Sequence, residues 1–336
     1  MNKAKKILLL AVLTPVTAFS QPPQVPIAPR AGGEYMGWTN SFRLANGLVD
    51  AVIVPEAGRM IHFGPAGGEN LLRLDKSLAG KSYPRKNGKD WKNFGGQWMW
   101  PAAQSAWPSF QTNDWPPSSV IDRKPWTGFA WTEADGAAAC VITRHFGEPL
   151  HVEARQLYRL MPSNDFITIR QSLVRTEKSS VPVTIWNLVQ VPLPERIAFE
   201  TGLEQEGSPG WKTLKFSPPD PEQIQTCGSS VVYEPGTSEE TKIGSRAPVA
   251  RMAAFKGPQA VIMKAAANSG EPDGKICTEI YVNSGLGYAE LEILSTETNL
   301  VEDEAISFTT QIQVLNIIPA AKDPCGQLAE TKALSP

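Results

Sequence analysis

Residues 151–174 read HVEARQLYRLMPSNDFITIRQSLV, and this stretch determines the fold class. Apolar and polar residues alternate from His151 to Leu160 and again from Phe166 to Val174, which is the period of a half-buried β-strand. Between the two runs lies Pro162–Asp165, whose residue types favour a tight turn. The stretch therefore predicts two antiparallel strands joined as a hairpin.

The same alternation recurs along most of the chain. Asn46-Gly47 predicts a second hairpin turn, between strands at 42–44 and 48–54. Further strands are predicted at 59–63, 137–146, 181–191, 250–255, 260–265, 276–282, 288–295 and 306–314. Residues 202–245, rich in Pro, Gly and Glu, predict an irregular excursion. The sequence has many predicted strands, no sustained helical periodicity and no change of composition along its length. These features indicate an all-β fold that forms one large antiparallel β-sandwich.

Tryptophan is concentrated in one part of the sequence. Seven of the ten tryptophans lie between Trp91 and Trp131, where the chain is too rich in Gly and Pro to form a helix. A long loop dense in indole rings predicts a binding surface. Indole faces suit a ligand that combines a flat C–H face with hydroxyl groups, so the segment predicts a carbohydrate ligand. The alternative is that the indoles close one end of the sandwich.

The N-terminal residues have the pattern of a secretory signal peptide. Lysines precede the apolar run Ile7–Val12, and Ala18-Phe19-Ser20 forms a small-residue cleavage site. We predict a signal peptide at 1–20, a Pro-rich linker at 21–33, a single domain at 34–320 and a C-terminal tail at 321–336. The mature protein is expected to be periplasmic or secreted, with no membrane insertion after signal cleavage.

Composition argues against several functional classes. The formal net charge is −2 and the charges are mixed along the chain, so no nucleic-acid partner is predicted. The four cysteines, Cys140, Cys227, Cys277 and Cys325, favour disulfides in an oxidising compartment, with three possible pairings. A buried free thiol at Cys140 is the alternative. The cysteine spacings are too wide for a zinc knuckle, and no metal or cofactor is predicted. The sequence does not indicate an oligomeric state.

A resemblance to a known superfamily extends these predictions. The run LANGLVDAVIVPEAGRMIHF, from Leu44 to Phe63, resembles the opening of galactose-mutarotase-like proteins. Gly68–Leu72, Gly95-Gly96, Ile185–Leu188 and Leu291–Ser295 resemble segments of an uncharacterised bacterial family called domain of unknown function number 4380. The resemblance covers about Tyr35 to Ile318. It implies a large distorted β-sandwich, the galactose-mutarotase-like supersandwich, whose concave face holds a carbohydrate.

The resemblance also assigns candidate catalytic roles. Aldose mutarotases use a histidine as general acid and a glutamate as general base. Glu292 matches the glutamate, whereas Phe94 and Leu188 stand where the family pattern places its two histidines. The resemblance therefore implies a scaffold that keeps the carboxylate but lacks ordinary mutarotase activity.

Two other residues are candidates to supply an acid group. Glu290 lies two positions before Glu292, on the same face of a strand and roughly 6.6 Å along it. Two carboxylates at about that separation can share acid and base work on a glycosidic bond. His62, which follows the Gly-Arg turn, is the third catalytic candidate. The alternatives are a solvated sheet face for the glutamates and a core or solvated position for the histidine.

The predicted carbohydrate site combines aromatic rings with polar partners. Its candidate residues are Arg59, Trp98, Trp100, Gln104, Trp107, Asn187 and Gln190. Two functions remain open: a carbohydrate-binding protein without catalysis, or a sugar-active enzyme that uses Glu292 with a second acid group. Such an enzyme would be a diverged aldose epimerase or a glycan-cleaving enzyme. It requires a titratable pair that faces the same cavity as the tryptophans.

Overall fold

The computed structural model describes residues 27–83, 91–202, 209–266, 276–315 and 323–326. Within these residues the chain forms two ten-stranded antiparallel sheets. The first sheet contains, in spatial order, β1 (Ile27–Tyr35), β2 (Trp38–Ala45), β3 (Val49–Val54), β4 (Arg59–Pro65), β5 (Gln97–Trp100), β10 (Trp186–Pro192), β19 (Tyr288–Leu294), β18 (Ile276–Asn283), β15 (Glu240–Ala247) and β12 (Trp211–Phe216).

The second sheet packs against the first. It contains, in spatial order, β13 (Ile224–Cys227), β14 (Ser230–Tyr233), β11 (Arg196–Glu200), β16 (Val249–Lys256), β17 (Gln259–Ala266), β20 (Ala305–Leu315), β9 (Phe166–Arg175), β8 (Val152–Leu160), β7 (Ala138–Phe146) and β6 (Thr127–Thr132). Short 3₁₀ helices lie at Lys76–Leu78, Gln104–Ser109 and Pro221–Gln223. In the described part of the chain, no helix has the length and apolar character needed to cross a membrane.

Both predicted hairpins are confirmed. β8 and β9 pair antiparallel around the Pro162–Asp165 turn, and β2 and β3 pair around Asn46-Gly47. The Asn46 carboxamide oxygen accepts hydrogen bonds from the N–H groups of Leu48 and Val49, each at 3.0 Å. Gly47 adopts a φ of 84°, which glycine reaches without steric cost. The remaining predicted strands overlap β4, β7, β10 and β16–β20.

Two predictions about irregular segments are wrong. Residues 202–245 contain three complete strands, β12–β14, and the first part of β15. These strands are short and separated by Pro and Gly, so they carry too few residues to show a clear period. The predicted linker at 21–33 also contains the start of β1, which pairs with β2 through repeated register shifts. Those shifts interrupt the two-residue period by which a strand is recognised, and residues 21–26 lie outside the described part.

The main core lies between the two sheets. Its apolar side chains come from the inward positions of both sheets, for example Leu291 and Ile293 on β19 and Ile142 on β7. Fully burying one such side chain stabilises the fold by about 1.5–3 kcal/mol relative to leaving it exposed. Because the buried cluster draws on strands from both sheets, the two sheets are stabilised by the same packing.

A fully buried polar cluster lies inside this apolar core. The Gln97 side-chain amide donates to the carboxamide oxygen of Asn187 at 2.9 Å and to that of Gln156 at 3.2 Å. The Tyr158 hydroxyl donates to Gln97 at 2.8 Å, and the Asn187 amide donates to the Thr310 hydroxyl at 2.7 Å. Gln97 and Asn187 belong to the first sheet, whereas Gln156, Tyr158 and Thr310 belong to the second, so the hydrogen bonds to these three residues join the sheets.

One disulfide is present among the four cysteines. Cys227 on β13 is bonded to Cys325, with 5.5 Å between their Cα atoms and 98 residues between them in sequence. Cys140 is a buried free thiol and Cys277 is a half-buried free thiol. The prediction of at least one disulfide is confirmed, and the alternative of a free Cys140 also holds. The predicted tail at 321–336 is therefore covalently attached to the second sheet through Cys325.

We expect two free thiols per chain when the protein is unfolded without reductant and titrated. Cys325→Ser should expose Cys227 as an additional thiol and lower the melting temperature, since a bond across a loop of this length contributes about 3–5 kcal/mol when unstrained. Cys277→Ser is the matched control, which should reduce the count to one without breaking the disulfide. A count of four thiols, or of none, in the wild-type protein would contradict the pairing.

Candidate functional site

A cleft of about 510 Å³ lies on the face of the first sheet that points away from the second sheet. Strand alternation determines its lining. On β19, Glu290 and Glu292 point into the cleft, whereas Leu291 and Ile293 point into the core. On β10, Trp186 points into the cleft, and Asn187 points to the opposite side. The cleft is thus lined by the polar and aromatic side chains of these strands, while their apolar side chains point into the core.

Indole rings form the cleft wall near β5. Trp100 and Trp186 make an edge-to-face contact with 5.0 Å between ring centroids, and Trp91 contacts Trp115 in the same way at 4.8 Å. Trp107 packs behind Trp100 and is 1% exposed. By contrast, Trp115 is 50% exposed, so this wall presents an uncovered ring to solvent.

A buried carboxylate fixes this indole wall. Asp122 accepts hydrogen bonds from the indole N–H groups of Trp91, at 3.2 Å, and Trp100, at 3.0 Å. The same carboxylate lies 3.5 Å from the guanidinium of Arg59. Since Asp122 is held by three cationic or N–H groups at once, the indoles cannot rotate without breaking a buried hydrogen bond.

At the centre of the cleft, the Glu292 carboxyl group lies between an indole and a lysine. Glu292 is fully buried, and one of its carboxylate oxygens accepts hydrogen bonds from the Trp186 indole at 2.7 Å and the Lys242 ammonium at 3.0 Å. Lys242 also lies 2.6 Å from the carboxylate of Glu279. Burial raises the pKa of Glu292 to about 8, against the opposing charge of Lys242. The two flanking carboxylates raise the pKa of Lys242 despite burial, so the lysine stays charged.

A second group of polar residues surrounds Glu290. The Gln190 amide donates to the Glu290 carboxylate at 2.5 Å and accepts from the Arg73 guanidinium at 3.0 Å. Arg73 lies over the ring of Tyr288 at 4.7 Å. Burial raises the pKa of Glu290 as well. Gln190 is fully buried, so it orients Arg73 and Glu290, which line the cleft.

The structure brings several of the predicted residues together. Trp100, Gln104, Glu290 and Glu292 line the cleft. Trp107 and Gln190 lie directly behind it, against lining residues. The remaining four candidates, Arg59, Trp98, Asn187 and His62, do not belong to the cleft lining.

Arg59 and Trp98 occupy a structural position instead of the predicted binding position. The Arg59 guanidinium lies 3.9 Å from the centre of the Trp98 ring and covers it. It also donates to the Gly95 carbonyl at 3.2 Å, and Arg59 is 1% exposed. A cation stacked on an indole and desolvated in this way stabilises the fold. Neither side chain offers a free surface to a ligand in the cleft.

Asn187 and His62 are also corrected. Asn187 points into the polar cluster between the sheets, where Gln97 and Thr310 satisfy its amide. His62 lies on β4, separated from β19 by β5 and β10, and its ring nitrogen is 3.1 Å from the Tyr35 hydroxyl. Burial lowers the pKa of His62. A side chain so far from Glu292 cannot exchange a proton with the same ligand.

No histidine lines the cleft, although the described residues include all three. Leu188, at a position where the resemblance expects histidine, is directly opposite Glu292 in the pairing of β10 with β19. Phe94, at the other such position, is fully buried and packs against Trp38 and Tyr83. Among the described residues, no three His, Cys, Asp or Glu side chains are grouped so that they could hold a metal ion.

The sequence interpretation missed several cleft residues: Arg73, Trp115, Trp186, Lys242, Tyr281 and Tyr288. A signal for one of them was present. Tyr288 alternates with Glu290 and Glu292 on one predicted strand, so the face that carries the glutamates also carries this tyrosine. Lys242 had no such signal, because it lies in the segment that was interpreted as irregular.

Comparisons with known proteins identify the fold. No family model matches the chain, and no curated protein does. A galactose mutarotase-like protein from Clostridium acetobutylicum has a TM-score of 0.54 at 13% identity, over 87% of this chain and 98% of that one. Another, from Lactobacillus casei ATCC 334, has a TM-score of 0.52 at 10% identity, over 82% of this chain and 100% of that one.

These identities establish the fold alone. The predicted fold class is confirmed, because the chain forms a β-sandwich of two large antiparallel sheets with the fold of galactose mutarotase-like proteins. The narrower resemblance to the uncharacterised bacterial family stays a prediction.

The raised pKa of Glu292 predicts a pH-dependent stability. Below about pH 4.5 the carboxyl is protonated in both states; between about 4.5 and 8 only the unfolded chain releases the proton. The native state then binds more protons, so the free energy of unfolding should fall as pH rises through this window. Glu292→Gln should remove much of this slope, measured by denaturant unfolding from pH 4 to 9. Glu302→Gln, at an exposed position, is the control; identical slopes for wild type and Glu292→Gln would contradict the assignment.

Proposed function

We propose that the cleft binds a carbohydrate. The supporting observation is that four indole rings line the same cavity as the carboxyl groups of Glu290 and Glu292; they belong to Trp91, Trp100, Trp115 and Trp186. Indole faces remove the apolar face of a sugar ring from water, and carboxylate and amide groups hydrogen-bond its hydroxyls. The names of the two similar solved structures, both galactose mutarotase-like, support the same ligand class.

The size and exposure of the cleft agree with this proposal. Its volume of about 510 Å³ is within the range of small-molecule pockets. The half-exposed ring of Trp115 is held by contacts to Trp91 and Trp107. Holding an aromatic ring rigidly at a cleft wall avoids the entropy cost of ordering it when a ligand binds.

We propose binding without ordinary mutarotase activity. The residue opposite Glu292 is Leu188, which has no proton to donate. If Glu292 were the general base of a mutarotase, the general acid that completes the pair would be missing from the position opposite it. Glu292 is also occupied by Trp186 and Lys242 through one of its oxygens.

A sugar-active enzyme is the second candidate, because the two glutamates do face the same cavity as the tryptophans. Glu292, with a pKa of about 8, would hold a proton at neutral pH and could act as a general acid. Glu290, which is less buried, would then be the base. This arrangement meets the requirement for a titratable pair in the tryptophan-lined cavity.

The proposal places the protein outside the cytoplasm. The signal-peptide pattern before Gln21 supports export, and so does the Cys227–Cys325 disulfide, since such bonds persist in oxidising compartments. The thiol titration of the exported protein bears on this point as well, because a cytoplasmic chain would keep all four thiols reduced.

Carbohydrate binding can be tested by thermal-shift screening with mono- and oligosaccharides, followed by calorimetry. Trp115→Ala should weaken binding by roughly 1–3 kcal/mol, judged by the apolar area that its ring covers. Trp131→Ala is the matched control, because Trp131 is a partly exposed indole on β6 of the other sheet. Equal affinity in wild type and Trp115→Ala would place the sugar elsewhere, and no response to any sugar would reject the proposal.

Mutarotation can be followed by polarimetry on fresh α-glucose and α-galactose. The rate with protein should equal the uncatalysed rate, since loss of a positioned acid typically costs a factor of about 10²–10⁴. Fast mutarotation that disappears in Glu292→Gln or Glu290→Gln, but survives in Glu302→Gln, would support the enzyme and reject binding without catalysis.

A further inference from the structure

The cleft is long for a single sugar ring. Its lining comes from six neighbouring strands, from Trp100 on β5 to Phe216 on β12. These strands are separated by five spacings of about 4.8 Å, or roughly 24 Å along the sheet. A single pyranose ring with its hydroxyls is shorter than this span. Most of the cleft would therefore stay empty around one sugar unit.

Exposed apolar side chains line the cleft at β12, at β18 and at the turn between β18 and β19. Phe216, on β12, is 47% exposed, and its ring centroid lies 5.7 Å from that of Tyr281. Tyr281 in turn lies 6.0 Å from Tyr288. Leu286, in the turn between β18 and β19, is 65% exposed. Phe216 is therefore five strands away from Trp100 in the indole wall.

The backbone near Phe216 departs from regular strand geometry. Lys215 and Phe216 are consecutive, yet both line the cleft, whereas successive side chains of a regular strand point to opposite faces. The pairing of β12 with β15 has a register shift between Thr213 and Lys215, and Phe216 has a φ of 64°. Such a conformation is costly for a bulky residue and is characteristic of functional sites. This backbone conformation places the Phe216 ring at the cleft.

We infer that Phe216, Tyr281 and Leu286 form a second sugar subsite, and that the ligand is an oligosaccharide. One sugar unit lies against the indole wall, another lies against Phe216, and the units between them cross Glu290 and Lys242. This inference rests on the proposed carbohydrate binding and adds the length of the ligand to it. A monosaccharide reaches only one of the two aromatic groups.

Calorimetry on the full chain can test the second subsite with defined probes. Glucose, xylose and N-acetylglucosamine are compared with cellotetraose, maltotetraose, xylotetraose and chitotetraose. We expect at least one tetrasaccharide to bind about tenfold or more tightly than its monosaccharide, the gain from covering one further aromatic group. Phe216→Gly should abolish that gain and lower the affinity for the tetrasaccharide to about that for the monosaccharide.

Phe216→Gly separates binding from folding, because glycine accepts the φ of 64° and the variant should melt no lower than wild type. Phe129→Ala, an exposed phenylalanine on β6, is the matched control and should keep the gain. A monosaccharide that binds as tightly as its tetramer, or a gain that survives in Phe216→Gly, overturns the second subsite while leaving carbohydrate binding intact. No binding by any of the probes overturns both.

Discussion

The hydrogen bonds between Gln97, Asn187 and the second sheet are the constraint on which the rest of the structure depends. These side chains are fully buried, so each lost partner would cost about 1–3 kcal/mol. A shift of β10 by one residue would break the set and turn every side chain of the strand to the other face. The polar cluster in the core therefore keeps Trp186 directed into the cleft. The hydrogen bonds that the core side of β10 must make therefore determine which side chains of this strand face the cleft.

The cleft combines two requirements that usually conflict. Buried carboxylates need compensating cations, and Lys242 serves Glu279 and Glu292 together. The aromatic wall needs fixed ring orientations, which Asp122 provides through the indole N–H groups. Because the Lys242 ammonium lies within 3.0 Å of both carboxyl groups, a neutral ligand can bind without bringing a counter-charge. This arrangement suits hydroxyl-rich ligands, and it keeps the cleft polar although the residue opposite Glu292 is the apolar Leu188.

The sequence predicted the fold class and the shared face of Glu290 and Glu292, because both follow directly from the two-residue period of strands. It could not assign the face of Asn187 and Gln190, since both faces of β10 carry apolar and amide side chains. Arg59 and Trp98 were predicted to bind the sugar because a guanidinium and an indole both make favourable contacts with sugars. In the structure they stack on each other instead. The sequence could not show this contact, since the two residues are far apart in the chain. Lys242 and Phe216 lie on strands adjoining turns and a bulge, where periodicity is weak.

The disulfide has a consequence for association between molecules. Cys227 lies on β13, the outermost strand of the second sheet. The outer edge of this strand has unpaired backbone N–H and C=O groups, which could pair with a strand from another chain. The bond holds residues 323–326 beside this strand, and the Cys325 sulfur lies 3.9 Å from the Thr226 carbonyl. A covalent cover at a sheet edge limits self-assembly without requiring charges or proline there. Under reducing conditions residues 323–326 would no longer be tied to β13, and the edge of the second sheet would lose its covalent link to this segment.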